Sequence, residues 1–283
     1  MRLFAISDLH LDYEANRDVL AEIPSRPDDW LVIAGDVGNS TDHLTRCFDL
    51  LAPRFKHLVW TPGNHDLWTH PKRQGQARGV SRYDQLIRIA RSYGVFTPED
   101  PYPVFESASG PVLIAPVFVL YDYSFRPDTV SLEGVIDWAA AANCVCSDEF
   151  LLQPDPFPTR ADWCRARCAA TERKLENRPG KLPTVLVSHF PLEQELAVLP
   201  RAPRFTPWCG TRLTAGWYKR FDARAAIFGH LHIPGTRWLD GVPFHEVSLG
   251  YPKQWTRRPR APHHLYEISL APATDLVTDR CPS

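Results

Sequence analysis

Two aspartates, four histidines and one asparagine stand in five short pieces of this chain: Asp8-Leu9-His10, Gly35-Asp36, Gly63-Asn64, the isolated His189, and His230-Leu231-His232. Carboxylate and amide oxygens with imidazole nitrogens are the donors that manganese, iron or zinc take, whereas calcium prefers oxygen alone and copper(I) prefers sulfur. The seven donors include no thiolate and are too many for one catalytic ion that must keep an open position. Two ions sharing a bridging carboxylate fit the count, and metal-assisted hydrolysis is the chemistry such a centre performs.

Those residues need elements that bring them together. Apolar runs at 2–6, 30–34 and 56–61 read as strands, and helical spacing at 16–23, 41–51 and 81–93 separates or follows them. This rhythm predicts parallel strands joined by helical crossovers. Further strands are expected at 112–118, 184–187, 225–228, 236–239 and 244–249, with a last one at 265–270. Each of the five pieces follows an apolar run, which places it at the carboxyl end of a strand, where open α/β sheets bind ligands. Between about 120 and 183 the pattern loosens into aromatic, proline-rich and helical pieces, among them Pro154-Asp155-Pro156-Phe157-Pro158 and a helix at 160–178. We read 1–283 as a single domain in which that segment is an insertion across the active edge.

A formal net charge of −1 with no block of like charge argues against a nucleic-acid or membrane-surface partner. No apolar run approaches the roughly 20 residues that span a bilayer. The first strand leads straight into the first motif with no leader-like segment, so the cytosol is the expected compartment. Seven cysteines are an odd number for a disulfide framework. Cys144 with Cys146 and Cys164 with Cys168 lack regular structural-zinc spacing and read as thiols packed like small hydrophobes.

Asp8-Leu9-His10, Gly35-Asp36, Gly63-Asn64-His65-Asp66, His189 and Gly229-His230-Leu231-His232 resemble, in order and over nearly the whole chain, the motifs of the calcineurin-like metallophosphoesterase superfamily. The resemblance implies an α/β fold, a mixed β-sandwich flanked by helices. It also implies that Asp8, His10 and His232 hold one divalent ion, that Asn64, His189 and His230 hold the other, and that Asp36 bridges them. Manganese and iron are the expected metals, with zinc as an alternative. Two such ions, about 3.5–4 Å apart, activate a shared water for in-line attack on phosphorus. His65 would stabilise the transition state or protonate the leaving oxygen, and Asp66 would orient its imidazole. One departure concerns the second motif, which many members continue to an acid three residues after the bridging aspartate. Here that position is Asn39, which can hydrogen-bond but carries no charge.

The segments between the ligands resemble a bacterial subgroup that includes phosphopantetheinyl hydrolases: His65-Asp66-Leu67-Trp68-Thr69, 97–103, 120–127, Trp208-Cys209-Gly210-Thr211 and Ser248-Leu249-Gly250-Tyr251-Pro252. That resemblance implies an acyl or peptidyl carrier protein as substrate and release of 4′-phosphopantetheine. Asn39, Trp68, His70, Tyr121, Tyr123 and Arg126 are the candidate substrate contacts, with packing of the insertion as the alternative for the tyrosines. Two other functions stay open at this level. One is a small-molecule phosphomonoesterase or cyclic-nucleotide phosphodiesterase with the same site, and the other is a non-catalytic scaffold. Singly, each candidate ligand could be a satisfied core histidine or a helix-capping aspartate; the full set is what points to a metal centre. His43, His57, His245, His263 and His264 match no motif and read as surface or packing residues.

Overall fold

The apolar runs form strands that are buried on both faces, as the near-absence of polar alternation within them requires. This computed structural model describes residues 1–70, 75–257 and 264–270; His263 lies outside the described residues. In chain order, β1 (Leu3–Ile6), α1 (Glu14–Glu22), β2 (Arg26–Ile33), α2 (Thr41–Leu51) and β3 (Phe55–Trp60) follow the strand–helix rhythm of the sequence. Helix α3 (Asn64–Leu67) begins inside the third motif, and α4 (Gly79–Ser92) packs beside α2. A hairpin of β4 (Val104–Ser107) and β5 (Gly110–Pro116) leads into the insertion with α5 (Val135–Ala140), α6 (Asp148–Leu151) and α7 (Arg160–Glu176). The chain then runs through β6 (Thr184–Val187), α8 (Trp217–Arg220), β7 (Ala223–Phe228), β8 (Gly235–Leu239), β9 (Val242–Glu246), α9 (Pro252–Trp255) and β10 (Tyr266–Glu267).

Two mixed sheets result, ordered β10-β1-β2-β3 and β4-β5-β6-β7-β9-β8. Parallel pairs fill the interior of each, and the antiparallel strands β10, β4 and β8 lie at edges. Successive side chains of a strand alternate between faces. Leu3, Ala5, Trp30 and Val32 therefore meet Val112, Ile114, Val185, Val187, Ala225 and Ile227 in a core between the sheets. The intervening Phe4, Ile6, Leu31, Ile33, Leu186 and Phe228 join the larger core shared with the helices and the insertion. Strand β4 escapes the sequence reading because it is a four-residue edge strand with Phe105 as its one buried side chain. The expected strand at 265–270 shortens to β10, while β2 starts earlier than expected, at a register shift between Arg26 and Trp30.

Candidate metal centre

All five motif pieces sit just beyond the carboxyl ends of β1, β2, β3, β6 and β7. Their loops are laced together by backbone hydrogen bonds: Asp8 N–H to Gly35 C=O at 3.0 Å, His10 N–H to Asp36 C=O at 3.1 Å, and Gly229 N–H to His189 C=O at 2.9 Å. A parallel bridge between Ser7 and Ser248 ties the end of β1 to the segment after β9, so the two sheets meet at this edge. Asp8, His10, Asp36, His230 and His232 all have left-handed backbones, with φ of 54°, 41°, 52°, 70° and 55°. Non-glycine residues adopt that region at a cost, and such strain is characteristic of sites where the surrounding structure dictates side-chain direction. The motif glycines are needed for close approach. A Cβ on Gly63 would stand 2.1 Å from Asp36 Oδ1, and one on Gly229 would stand 1.9 Å from Ser7 Oγ.

The donors converge in pairs. His232 Nε2 lies 2.9 Å from Asp8 Oδ1 and 3.1 Å from His10 Nε2. His189 Nε2 lies 3.1 Å from Asn64 Oδ1 and 3.4 Å from Asp36 Oδ2. Asp8, His10 and His232 form one group whose donor atoms all lie within 4.8 Å of one another; Asp8, Asp36 and His189 form a second, and His10, Asp36 and His65 a third. The first matches one expected ligand triad, and Asp36 is shared by the other two. His230 stands outside these groups, with its ring 5.2 Å from that of His189, and its buried Nε2 has no hydrogen-bond partner.

Surrounding residues leave one atom of several donors free for the centre. Asp8 Oδ2 accepts from the hydroxyls of Ser7 and Ser248 at 2.6 Å and from His230 N–H at 3.0 Å, which leaves Oδ1 facing inward. His189 Nδ1 lies 2.9 Å from Ala34 C=O, and His232 Nδ1 lies 2.8 Å from Gln254 Oε1. Each contact directs Nε2 toward the other donors, the usual arrangement for metal-binding imidazoles. Burial alone would raise both carboxyls, yet His232 holds Asp8 well below the usual carboxylate range, and His189 and His65 do the same for Asp36. Burial likewise opposes protonation of His189, but Asp36 raises it to about 10. His10 and His230 are pushed down to about 3, first by burial and then by neighbouring imidazoles. The pocket is thus built from buried anionic carboxylates, imidazoles and an unpartnered ring nitrogen, a donor set that fits divalent ions of intermediate hardness.

The calcineurin-like phosphoesterase family model matches residues 1–234. The chain belongs to that family. A binuclear metal site is what the family implies, and the Asp and His groups above are present for it. This calcineurin-like phosphoesterase is 49% identical over 259 residues to the [acyl-carrier-protein] phosphodiesterase PptH of Mycobacterium tuberculosis, covering 90% of this chain and 80% of that protein. It also superposes on the crystal structure of phosphopantetheinyl hydrolase (PptH) from the same organism with a TM-score of 0.90 and 46% identity. That match covers 94% of this chain and 95% of the other.

Around the ligands, the calcineurin-like phosphoesterase differs from the sequence reading in instructive ways. His65 is partly buried, with Nε2 3.9 Å from Asp36 Oδ2. Asp66 does not orient it. The Asp66 carboxylate instead accepts from four backbone N–H groups, those of Gly63, Asp36, Val37 and Gly38, at 2.9–3.4 Å. Burial, with the Asp36 charge, pushes this carboxyl up to about 7 against the donors that hold it ionised. The partner of the imidazole is Asn39, whose Oδ1 is 3.0 Å from His65 Nδ1. Trp68 stacks on His65 with ring centroids 3.6 Å apart.

Asp148 in α6 was not anticipated. It is fully buried, and its Oδ1 accepts from Asn64 Nδ2 at 3.0 Å and from Trp68 Nε1 at 2.6 Å. Nothing short-range marks it, because its partners lie 84 and 80 positions away. Glu246 and Ser248 form a similar buried support behind Asp8.

Other expected contacts belong to packing. Tyr121 is fully buried, with its ring against Tyr123 and Phe190, so it does not line a groove. The Tyr123 hydroxyl donates to Glu149 at 2.8 Å and accepts from Arg160. The Arg126 guanidinium donates to the carbonyls of Val130 and Tyr123 in its own loop. His70 is exposed, and its backbone N–H donates to Gln76. The described cysteines are free thiols; Cys164 and Cys168 place their sulfurs 4.0 Å apart. No helix among the described residues is long and apolar enough to cross a membrane.

Proposed function

We propose that this protein hydrolyses the phosphodiester joining 4′-phosphopantetheine to the serine of a holo-acyl or peptidyl carrier protein. The observation that carries the reading is the match to the PptH phosphodiesterase over nine-tenths of the chain, which takes in the insertion walling the site as well as the ligand motifs. Asp8, His10 and His232 would hold one ion, Asn64, His189 and His230 the other, and Asp36 would lie between them. Manganese and iron suit this donor set, with zinc the alternative. When bound, the ions supply Lewis acidity to the phosphoryl group and to the attacking water.

The chain's own residues do the rest. The bond that breaks joins phosphorus to the serine oxygen, and that oxygen must gain a proton as it leaves. His65 faces the centre through Nε2, since Nδ1 is engaged by Asn39; as an imidazolium it would give the Nε2 proton to the departing serine oxygen. Stacking on Trp68 and the Asn39 contact restrict the ring to that direction. Asp148 fixes the Asn64 amide so that its oxygen, rather than its nitrogen, turns to His189. We take the chain as one catalytic domain whose 120–183 insertion supplies Asp148, and a carrier-protein substrate implies a cytosolic enzyme.

Mass spectrometry of a holo-acyl carrier protein incubated with metal-loaded enzyme tests the proposal. Conversion to the apo mass with release of phosphopantetheine is the expected result. An unchanged carrier mass, with brisk hydrolysis of nucleotides by the same preparation, would instead assign the site to small molecules.

A further inference from the structure

A cavity of about 520 Å³ adjoins the metal centre, with His232 and Gln254 in its wall and Arg201, Lys253, Arg257 and Ile233 around them. Among the described residues no acidic side chain lines it. Half of the described guanidinium groups elsewhere are ion-paired, including Arg78 with Asp155, Arg91 with Asp100, Arg212 with Asp128, and Arg220 with Glu172 and Glu176. Arg201, Lys253 and Arg257 have neither an ion pair nor a hydrogen bond among the described residues. In a chain of net charge −1, three unpaired cations at one opening form a local positive field that the overall charge conceals. Beside them Ile233 leaves 45% of its surface exposed.

We infer that this cationic rim is where the acidic face of the carrier protein docks. The inference rests on the substrate reading above. Asp8, His10 and His189 are almost completely buried, and the scissile phosphodiester lies at the base of the arm on the carrier's own serine, so bringing it to them presses the carrier protein on the surface beside these residues. His232 connects the two, since its Nε2 faces the Asp8 carboxylate while its ring contributes to the cavity wall. Unpaired cations around an exposed isoleucine match a partner that offers carboxylates around a small apolar patch. Complementary charge of this kind raises the encounter rate and selects the partner without altering the chemical step.

The test is the double variant Arg201→Glu with Lys253→Glu, assayed on a holo-acyl carrier protein and on bis(4-nitrophenyl) phosphate, with melting temperature as the check of folding. The expected result is a KM for the carrier raised about tenfold, with kcat and small-diester turnover unchanged. Raising salt from about 50 to about 500 mM should raise the wild-type KM and abolish most of the difference. A KM within about twofold of wild type at low salt overturns the docking assignment while leaving the substrate reading intact. A wild-type enzyme that cleaves the small diester but never the carrier overturns both. Stronger competition by a single-stranded oligonucleotide than by apo-carrier makes the rim a general polyanion site, and that also overturns the proposal.

Discussion

The side-chain oxygen of Asn39 sits 3.0 Å from Nδ1 of His65. An amide at this position orients the imidazole without adding charge. Asn39→Ala should lower kcat roughly 10- to 100-fold, the usual effect of losing a supporting contact, with little change in KM. Asn39→Asp keeps an acceptor oxygen for Nδ1 and should recover most of the lost kcat. Steady-state kinetics check both variants, and an Asn39→Ala kcat within about twofold of wild type would sink the positioning role of Asn39.

Asp148 links the insertion to the candidate ligand Asn64 and to Trp68. Asp148→Ala frees both and should weaken metal loading about 10- to 100-fold, measured by calorimetric titration with manganese. Asp148→Asn retains an acceptor oxygen for the same two donors and should recover most of the loss. Equal affinities in wild type and Asp148→Ala would show that Asn64 needs no support.

Asp66 satisfies four buried N–H groups with two oxygens. In Asp66→Asn one oxygen becomes an NH₂ group that meets the Gly63 and Asp36 N–H groups, and leaving such donors unpaired costs about 1–3 kcal/mol each. Urea denaturation should therefore show a loss of about 2–5 kcal/mol. A variant within 0.5 kcal/mol of wild type, as is usual for surface changes of roughly that size, would contradict this account.

Chelation should abolish turnover, and manganese or iron should restore it, while the far-ultraviolet circular dichroism stays near native because both cores are built of apolar side chains that include none of the candidate ligands. The melting temperature should fall on chelation, since ions that bind only the folded chain stabilise it. Full activity in exhaustively chelated protein would refute a metal-dependent reaction.

His245 provides a pH dependence away from the ligands. Its Nδ1 lies 2.9 Å from the Thr236 hydroxyl, its buried Nε2 lacks a partner, and burial pushes it down to about 4 from 6.5. Between those values the unfolded chain binds a proton that the folded chain does not, so this contribution to stability is complete above 6.5 and is lost as pH falls toward 4. His245→Gln should remove that part of the acid sensitivity, read as the pH dependence of the urea midpoint. Identical pH profiles would refute it.

Much of the fold was legible in short-range pattern. The runs Leu3–Ile6, 185–187 and 225–228 are apolar on both faces, and strands buried between a second sheet and a helix layer must be so. Edge strands were harder to read: β4 and β10 are short and only partly buried, so burial imposes little pattern on them. The insertion was located but not resolved into roles, because packing of Tyr121 and pairing of Arg126 depend on neighbours that composition does not reveal.

The sequence by itself determined the donor types, their order and the chemistry they could support, because each motif couples a strand to a turn within a few residues. It also contained the glycines that let Asp36 and Asp8 approach their neighbours. Tertiary structure alone decided which group faces which. Adjacent residues such as His65 and Asp66 point in different directions once a turn is set, so the neighbouring acid went to backbone N–H groups and the distant Asn39 to the imidazole. Asp148 reached Asn64, and the cations of the rim gathered beside His232, for the same reason: side-chain direction and long-range packing, not spacing along the chain, set these contacts.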